Sequence, residues 1–309
     1  MKVFITGGTG FVGSGIIPEL LQAGHAVTGL ARTAEAADRL AAIGATARRG
    51  DLADPAGLQA AAGEADAVIH CGYIHDFSAM EASARTDLKA IEAMIDGLAG
   101  AAGHGTSAKV FVCTSGTAML PAGRLVTERD AADPSTPGGL RALSERAALA
   151  AAERGVRSAV IRLPPSVHGP GDHGFVPMVI DIARKSGVSA YLGNGENCWP
   201  AVHRDDAAVL YRVTMERLAA GDVPAASALH AVADSGVPFR ELAGAIAEQL
   251  KLGPAAPREA EHFGWFAMFA GLHNPTSATI TEALTGWRPT RLGLLDNVRG
   301  PAYATPRST

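Results

Sequence analysis

Along the first half of the chain, short all-apolar runs alternate with longer stretches in which apolar positions return every three or four residues. The first kind of run reads as a strand buried on both faces, the second as a helix with one buried side. Strands are expected at 2–5, 26–30, 46–49, 67–70, 109–113 and 157–162. Helices fall between them at 13–23, 34–43, 55–63, 79–101 and 138–154, the last strongly favoured by its alanines. Strict strand–helix alternation predicts a parallel sheet covered on both faces.

The second half loses this regularity. Prolines and glycines break the chain from Leu163 to Gly174; a helix follows over Phe175–Ser186 and an extended piece over Val188–Leu192. A helix from Asp205 to about Ala219 is expected to take its cap from Asp205 or Asp206. Ser227–Ala233 reads as a last sheet strand, and a helix over Pro238–Leu250 starts on proline. His262-Phe263-Gly264-Trp265-Phe266 gathers aromatics that are otherwise scarce; it reads as lobe core, with a pocket wall as the alternative.

Composition narrows the class without naming a function. At 309 residues, 47% hydrophobic and 19% charged, the chain has the make-up of a globular protein with a large core. A net charge of −4 gives no footprint for nucleic acid or an anionic membrane. No stretch has the length and apolarity of a membrane span. Cys71, Cys113 and Cys198 lack metal-type spacing, so no metal is expected, and they read as buried thiols in a reducing compartment. The first strand begins almost at the N-terminus and leaves no room for a signal peptide, so the expected location is the cytoplasm.

The chemistry starts at Thr6-Gly7-Gly8-Thr9-Gly10-Phe11-Val12-Gly13, set between the first strand and first helix. Gly7 permits the tight turn, Gly10 lets the backbone approach a pyrophosphate, and Gly13 lets helix and strand pack closely. The helix N-terminus offers free N–H groups to phosphate, with Thr9, Phe11 and Val12 in the same turn. The second strand ends without an acid at Leu30 or Ala31, and Arg32 follows. An acid there would select the ribose hydroxyl of NAD; a guanidinium suits the 2′-phosphate of NADP, the expected cofactor, with NAD possible. After the third strand, Asp51 in Gly50-Asp51-Leu52 accepts from an adenine amino group, caps the next helix, or does both. The fourth strand ends in Cys71-Gly72-Tyr73, where small residues let the backbone pass a cofactor. His75 and Asp76 then face substrate, unless Asp76 or Ser78 merely caps the long helix.

Together these segments resemble the extended branch of the short-chain dehydrogenase/reductases, the group with the epimerases and dehydratases. Further resemblance lies in Val110–Ser115, in Val160–Gly171, in Trp199–Ala208 and in Leu284–Pro289. It implies an α/β fold: a Rossmann-type doubly wound parallel sheet with a smaller C-terminal substrate lobe. The dinucleotide domain would be 1–163, completed by about 200–235, with 164–199 and 236–309 forming the lobe. Pro164 and Ser166 would be cofactor contacts carried over from the family. A homodimer through the alanine-rich helices 79–101 and 140–154 would likewise follow by analogy.

The resemblance breaks at the reacting end. The family uses a Ser or Thr, a Tyr, and a Lys four residues after the Tyr. Four residues after Tyr73, Tyr191, Tyr211 and Tyr303 stand Phe77, Gly195, Met215 and Arg307. With Glu145 matched to the family's glutamate, Pro137 takes the tyrosine place, Arg141 the lysine place and Gly116 the serine place. Proline has nothing to ionise, and arginine keeps its proton at neutral pH. Arg141 is therefore a candidate for the nicotinamide ribose or a phosphate, and Ser115 or Thr117 for a substrate carbonyl. A proton would come from Tyr73, His75, His168 or water; each histidine also reads as structural, and Tyr73 as a ring packed on the cofactor. The expected function is an NADP(H)-dependent oxidoreductase acting on a small carbonyl or alcohol through a non-standard proton donor. A catalytically silent NADP-binding sensor, or a redox-neutral epimerase or dehydratase, is the alternative.

Overall fold

The computed structural model describes residues 1–76, 78–101, 108–136 and 139–304. Seven parallel strands form the central sheet: β1 (Lys2–Thr6), β2 (Ala26–Ala31), β3 (Thr46–Arg49), β4 (Ala67–His70), β5 (Val110–Gly116), β6 (Arg157–Leu163) and β10 (Ser227–His230). Their order is β3-β2-β1-β4-β5-β6-β10. The order of strand addition reverses between β1 and β4, outward to β3 and then outward to β10, so the crevice for a ligand opens at their carboxyl ends. The expected strands and α/β class are all present, and the sheet is the doubly wound arrangement.

Helices α1 (Gly13–Gln22), α2 (Ala34–Ala42), α3 (Pro55–Gly63), α4 (Met80–Ala101) and α5 (Ala142–Ala150) follow the strands in turn. The helix expected over 138–154 is shorter as an α-helix. Tighter 3-10 turns, Gly139–Arg141 and Ala151–Arg154, stand at its two ends. One face of the sheet packs Ile16, Ile17 and Leu20 of α1 against Val3, Ile5 and Val112. The other packs Leu58, Ile91, Met94 and Leu98 of α3 and α4 on Phe4, Val68 and Phe111. Burial of strand residues on both faces is why these strands read as continuous apolar runs.

Beyond β6 the chain leaves the sheet through β7 (Ser166–His168), α6 (Phe175–Ser186), β8 (Ala190–Tyr191) and β9 (Cys198–His203). It returns through α7 (Arg204–Ala220), then builds β11 (Asp234–Pro238), α8 (Phe239–Leu250), β12 (Ala256–Pro257), α9 (Ala267–Ala270), α10 (Thr279–Thr285) and α11 (Leu294–Arg299). A separate core of Val176, Ile180, Trp199, Phe239, Phe263, Phe266 and Phe269 holds this part together. Phe263 and Phe266 are buried in it, as the core reading of 262–266 expects, while Trp265 remains 55% exposed.

Two cap assignments are corrected. The side chain of His203, the residue before α7, accepts from the Asp205 amide; Asp206 instead accepts from the amides of Thr290 and Arg291. Likewise Asp54, directly before Pro55, caps α3 by accepting from Gly57, and Asp51 accepts from Ala53. Asp51 lies too far upstream to reach the first turn.

Candidate functional site

The β1–α1 turn is shaped by close backbone contacts. Gly7 has φ +69, and a Cβ there would lie 2.6 Å from the Gly72 nitrogen in the loop after β4. At Gly13 a Cβ would stand 2.2 Å from the Gly7 carbonyl oxygen. No side chain caps α1, its first turn has no acid, and the amides of Phe11 and Val12 have no acceptor among the described residues. These unsatisfied donors at a helix start fit a pyrophosphate. The Phe11 ring packs edge-on to His173 (5.7 Å) and lies 5.4 Å from the Arg204 guanidinium.

At the next strand ends two arginines stand side by side. Arg32 is exposed, and Arg49, paired across from Ala31, donates from Nη2 to the Arg32 carbonyl at 2.9 Å. Arg32 follows its strand directly in the sequence; Arg49 comes beside it only through the register of β2 and β3. Leu52 packs near Gly72, within 3.2 Å of where a Cβ of that glycine would lie.

The other end of the cleft is built from buried side chains. Ser115 is 4% exposed, and its hydroxyl donates to Glu145 Oε2 at 2.6 Å. Arg162 binds both oxygens of Glu145, at 2.5 and 3.1 Å, and lies 3.2 Å from the His230 ring. Thr117 donates to Asn274 Oδ1 at 2.7 Å, and Asn274 returns a bond to the Thr117 carbonyl. Both hydroxyls proposed for a substrate carbonyl are thus engaged inside the protein. Thr114, a residue the sequence argument passed over, donates to the Cys71 sulfur and is bonded at 2.8 Å to the buried Tyr211 hydroxyl. Burial raises the Cys71 thiol to about 11, which leaves it protonated and unreactive.

Arg141 reaches the cleft floor. Its Nη2 donates to the Thr114 carbonyl at 3.0 Å, and the guanidinium lies over the Tyr73 ring, 4.1 Å from its centre. His75 also meets Tyr73, edge-on at 5.1 Å. Tyr73, His75 and Arg141 are therefore brought together. Partial burial raises the Tyr73 pKa, against the pull of Arg141. Asp76 turns back on its own loop, accepting from the amide and hydroxyl of Ser78, and its carbonyl accepts from Ala79. Pro137 lies outside the described residues.

The two residues carried over from the family lie at the start of the segment that leaves the sheet. Pro164 is buried, and Ser166 is wholly buried with its Oγ unbonded among the described residues. His168, on the same face of β7, is also wholly buried; desolvation, aided by His203, pushes its pKa down to about 3. Without access or a usable proton, His168 is not an acid for the cleft.

A parallel sheet with its crevice at the strand reversal, and a glycine turn offering free amides there, defines a dinucleotide-binding type of protein. The model of the NAD dependent epimerase/dehydratase family matches residues 3–227, and the chain belongs to that family. A Schizosaccharomyces pombe protein, "Uncharacterized protein C2A9.02", is 42% identical over 98% of this chain and 100% of its own length. The 2-alkyl-3-oxoalkanoate reductase of Stenotrophomonas maltophilia is 28% identical, covering 84% of this chain and 77% of its own. Among solved structures, the Thermus thermophilus UDP-glucose 4-epimerase complex with NAD superposes with a TM-score of 0.74 at 20% identity, covering 98% of both chains.

Proposed function

We propose that the protein is an NADP(H)-dependent oxidoreductase that reduces a small carbonyl, or oxidises the matching alcohol. The observation that carries this reading is the turn at Gly7–Gly13, whose unsatisfied amides meet a helix start free of acid. The similarity to a 2-alkyl-3-oxoalkanoate reductase supports a carbonyl substrate. Preference for NADP rests on Arg32 and Arg49, two exposed guanidinium groups at neighbouring strand ends with no acid at Leu30 or Ala31. Their geometry and charge suit a 2′-phosphate.

When bound, a reduced nicotinamide would supply the hydride, two electrons with one proton, that reduction of a carbonyl carbon needs. The chain supplies the rest. Arg141 stands where the family has lysine and offers N–H donors to a ribose hydroxyl or to the developing alkoxide. Tyr73 delivers the second proton to that oxygen; a phenol is protonated at neutral pH, and burial, which raises its pKa, keeps it so. Burial and Arg141 lower the His75 pKa, so at neutral pH its imidazole less often carries the extra proton to give. A homodimer through α4 and α5 belongs to the same proposal: Leu140 and Leu143 stand exposed there. A sedimentation mass of one chain would end that part.

The decisive test is NADPH consumption against a panel of aldehydes and ketones, with Tyr73→Phe, His75→Ala and Arg141→Ala beside the native protein. Tyr73→Phe is expected to lower kcat about a hundredfold with NADPH binding retained. Turnover retained in that variant removes Tyr73 from the role. The silent sensor has its own support, because Ser115 and Thr117 are both engaged and Gly116 holds the serine place. NADPH binding without turnover of any carbonyl favours it. Cofactor that co-purifies and turns a substrate over without net oxidation favours the epimerase or dehydratase alternative.

A further inference from the structure

A buried carboxylate beneath Arg141 has no place in the reading so far. Asp87, on the inner face of α4, is 2% exposed. Its Oδ1 lies 3.1 Å from His70 Nε2 at the end of β4. Its Oδ2 lies 3.8 Å from Arg141 Nε, and neither atom has a hydrogen bond among the described residues. A buried donor and acceptor are thus left facing each other across a gap one step longer than a bond.

The local hydrogen bonds set the direction of this chain. Thr6 Oγ1 accepts from the Gly72 amide at 3.1 Å and is bonded to His70 Nδ1 at 2.7 Å. His70 carries a proton on Nε2 and donates it to Asp87, because a carboxylate only accepts. Asp87 is left to accept, as an ionised carboxylate. Burial alone would raise its pKa, but the His70 bond, Arg141 and Ser144 together bring it below the usual value.

We infer that Asp87, oriented by His70, is a positioning residue that aims the Arg141 guanidinium into the cleft. Three contacts fix the guanidinium: the Thr114 carbonyl on Nη2, the Tyr73 ring on one face, and Asp87 facing Nε. Nη1 has no partner among the described residues and is the donor left for a ligand. Asp87 also balances the arginine's charge, so the cleft floor presents a directed donor rather than a bare cation. Such a floor suits a neutral acceptor, a carbonyl or ribose oxygen, and does not demand an anionic substrate.

The inference deepens the proposed reductase, and its test separates the two. Asp87→Asn, Arg141→Lys and the double variant are made, with Asp87→Ser as a second removal of the carboxylate; folding is checked by thermal melts. Modification of Arg141 by phenylglyoxal, followed by peptide mass spectrometry, reads the guanidinium without any turnover. In the Asp87 variants that fold, Arg141 is expected to react severalfold faster than in the native protein. An unchanged rate in a folded variant overturns the inference, whatever the activity. With a carbonyl the native protein reduces, Asp87→Asn should lower kcat about tenfold to a hundredfold at little-changed KM. The double variant should be no worse than Arg141→Lys alone; additive losses overturn the coupling. Faster modification together with a native protein that neither binds NADPH nor reduces a carbonyl sinks the reductase and leaves the positioning intact.

Discussion

The two ends of the cleft are made of different materials. The end at β1–α1 is made of backbone: Gly7, Gly10 and Gly13 bring main chain close to main chain and leave amides free. The end at β4–β5 is made of buried polar side chains, Ser115–Glu145–Arg162 on one side and Thr6–His70–Asp87–Arg141 on the other. A backbone site tolerates few substitutions, because any Cβ meets another main chain. A side-chain site can change its members one at a time, provided that each buried partner stays paired. That difference fits a familiar glycine turn beside a reacting end where the residues matched to the family's serine and lysine are Gly116 and Arg141.

The contrast can be broken most sharply at Glu145. Arg162 and Glu145 are 2% and 4% exposed, so Glu145→Ala strands a buried cation and the Ser115 hydroxyl. A loss of about 3–5 kcal/mol is expected in urea unfolding. A loss below about 1 kcal/mol, the scale of an exposed pair, would show that the network is dispensable.

At the backbone end the counterpart is Gly13→Ala, whose methyl would sit 2.2 Å from the Gly7 oxygen. The turn must shift, at a cost of about 1–3 kcal/mol. NADPH affinity, by fluorescence titration, should fall further than that loss of fold explains. Undiminished affinity would argue that the turn does not hold the pyrophosphate.

A smaller effect sharpens the cofactor reading. Arg32→Ala and Arg49→Ala should each weaken NADPH by about tenfold, as expected for one charge-assisted bond, with NADH little changed. Equal losses for both cofactors, by calorimetry, would remove the 2′-phosphate argument.

A pH dependence tests burial in the second part of the chain. His168 has a folded pKa near 3, and His230, desolvated beside Arg162, near 4, against an ordinary 6.5. The unfolded chain therefore takes up these protons first. Stability from keeping both neutral is complete above about pH 6.5 and declines as pH falls toward 4 and 3. The unfolding free energy from urea titration should drop between pH 7 and pH 5, by no more than about 1.4 kcal/mol per pH unit for each histidine. His168→Asn should flatten that slope; an unaltered slope would mean that His168 titrates normally.

Much of the fold was legible because it repeats a local rule. β1 through β6 and α1 through α4 lie within a residue or a few of the apolar runs that announce them, and the glycine turn falls between β1 and α1. The caps were less legible. Asp205, Asp206 and Asp51 are plausible caps by residue type, yet His203 and Asp54 occupy the cap positions. Asp206 is drawn off by the distant amides of Thr290 and Arg291, which no local pattern discloses.

By itself the sequence determined the strand–helix alternation, the glycine turn, Arg32, and the loss of the Tyr-x-x-x-Lys pattern, all of them properties of neighbouring residues. Only the tertiary structure decided that Ser115 and Thr117 are already engaged, that Arg49 stands beside Arg32, and that Asp87 faces Arg141. Those pairs lie 30, 157, 17 and 54 residues apart for Ser115–Glu145, Thr117–Asn274, Arg32–Arg49 and Asp87–Arg141. Hydrophobic periodicity says which face of an element is buried, not which polar side chain it will meet there. That choice is made by strand order and register, when segments far apart in the chain close on the same crevice.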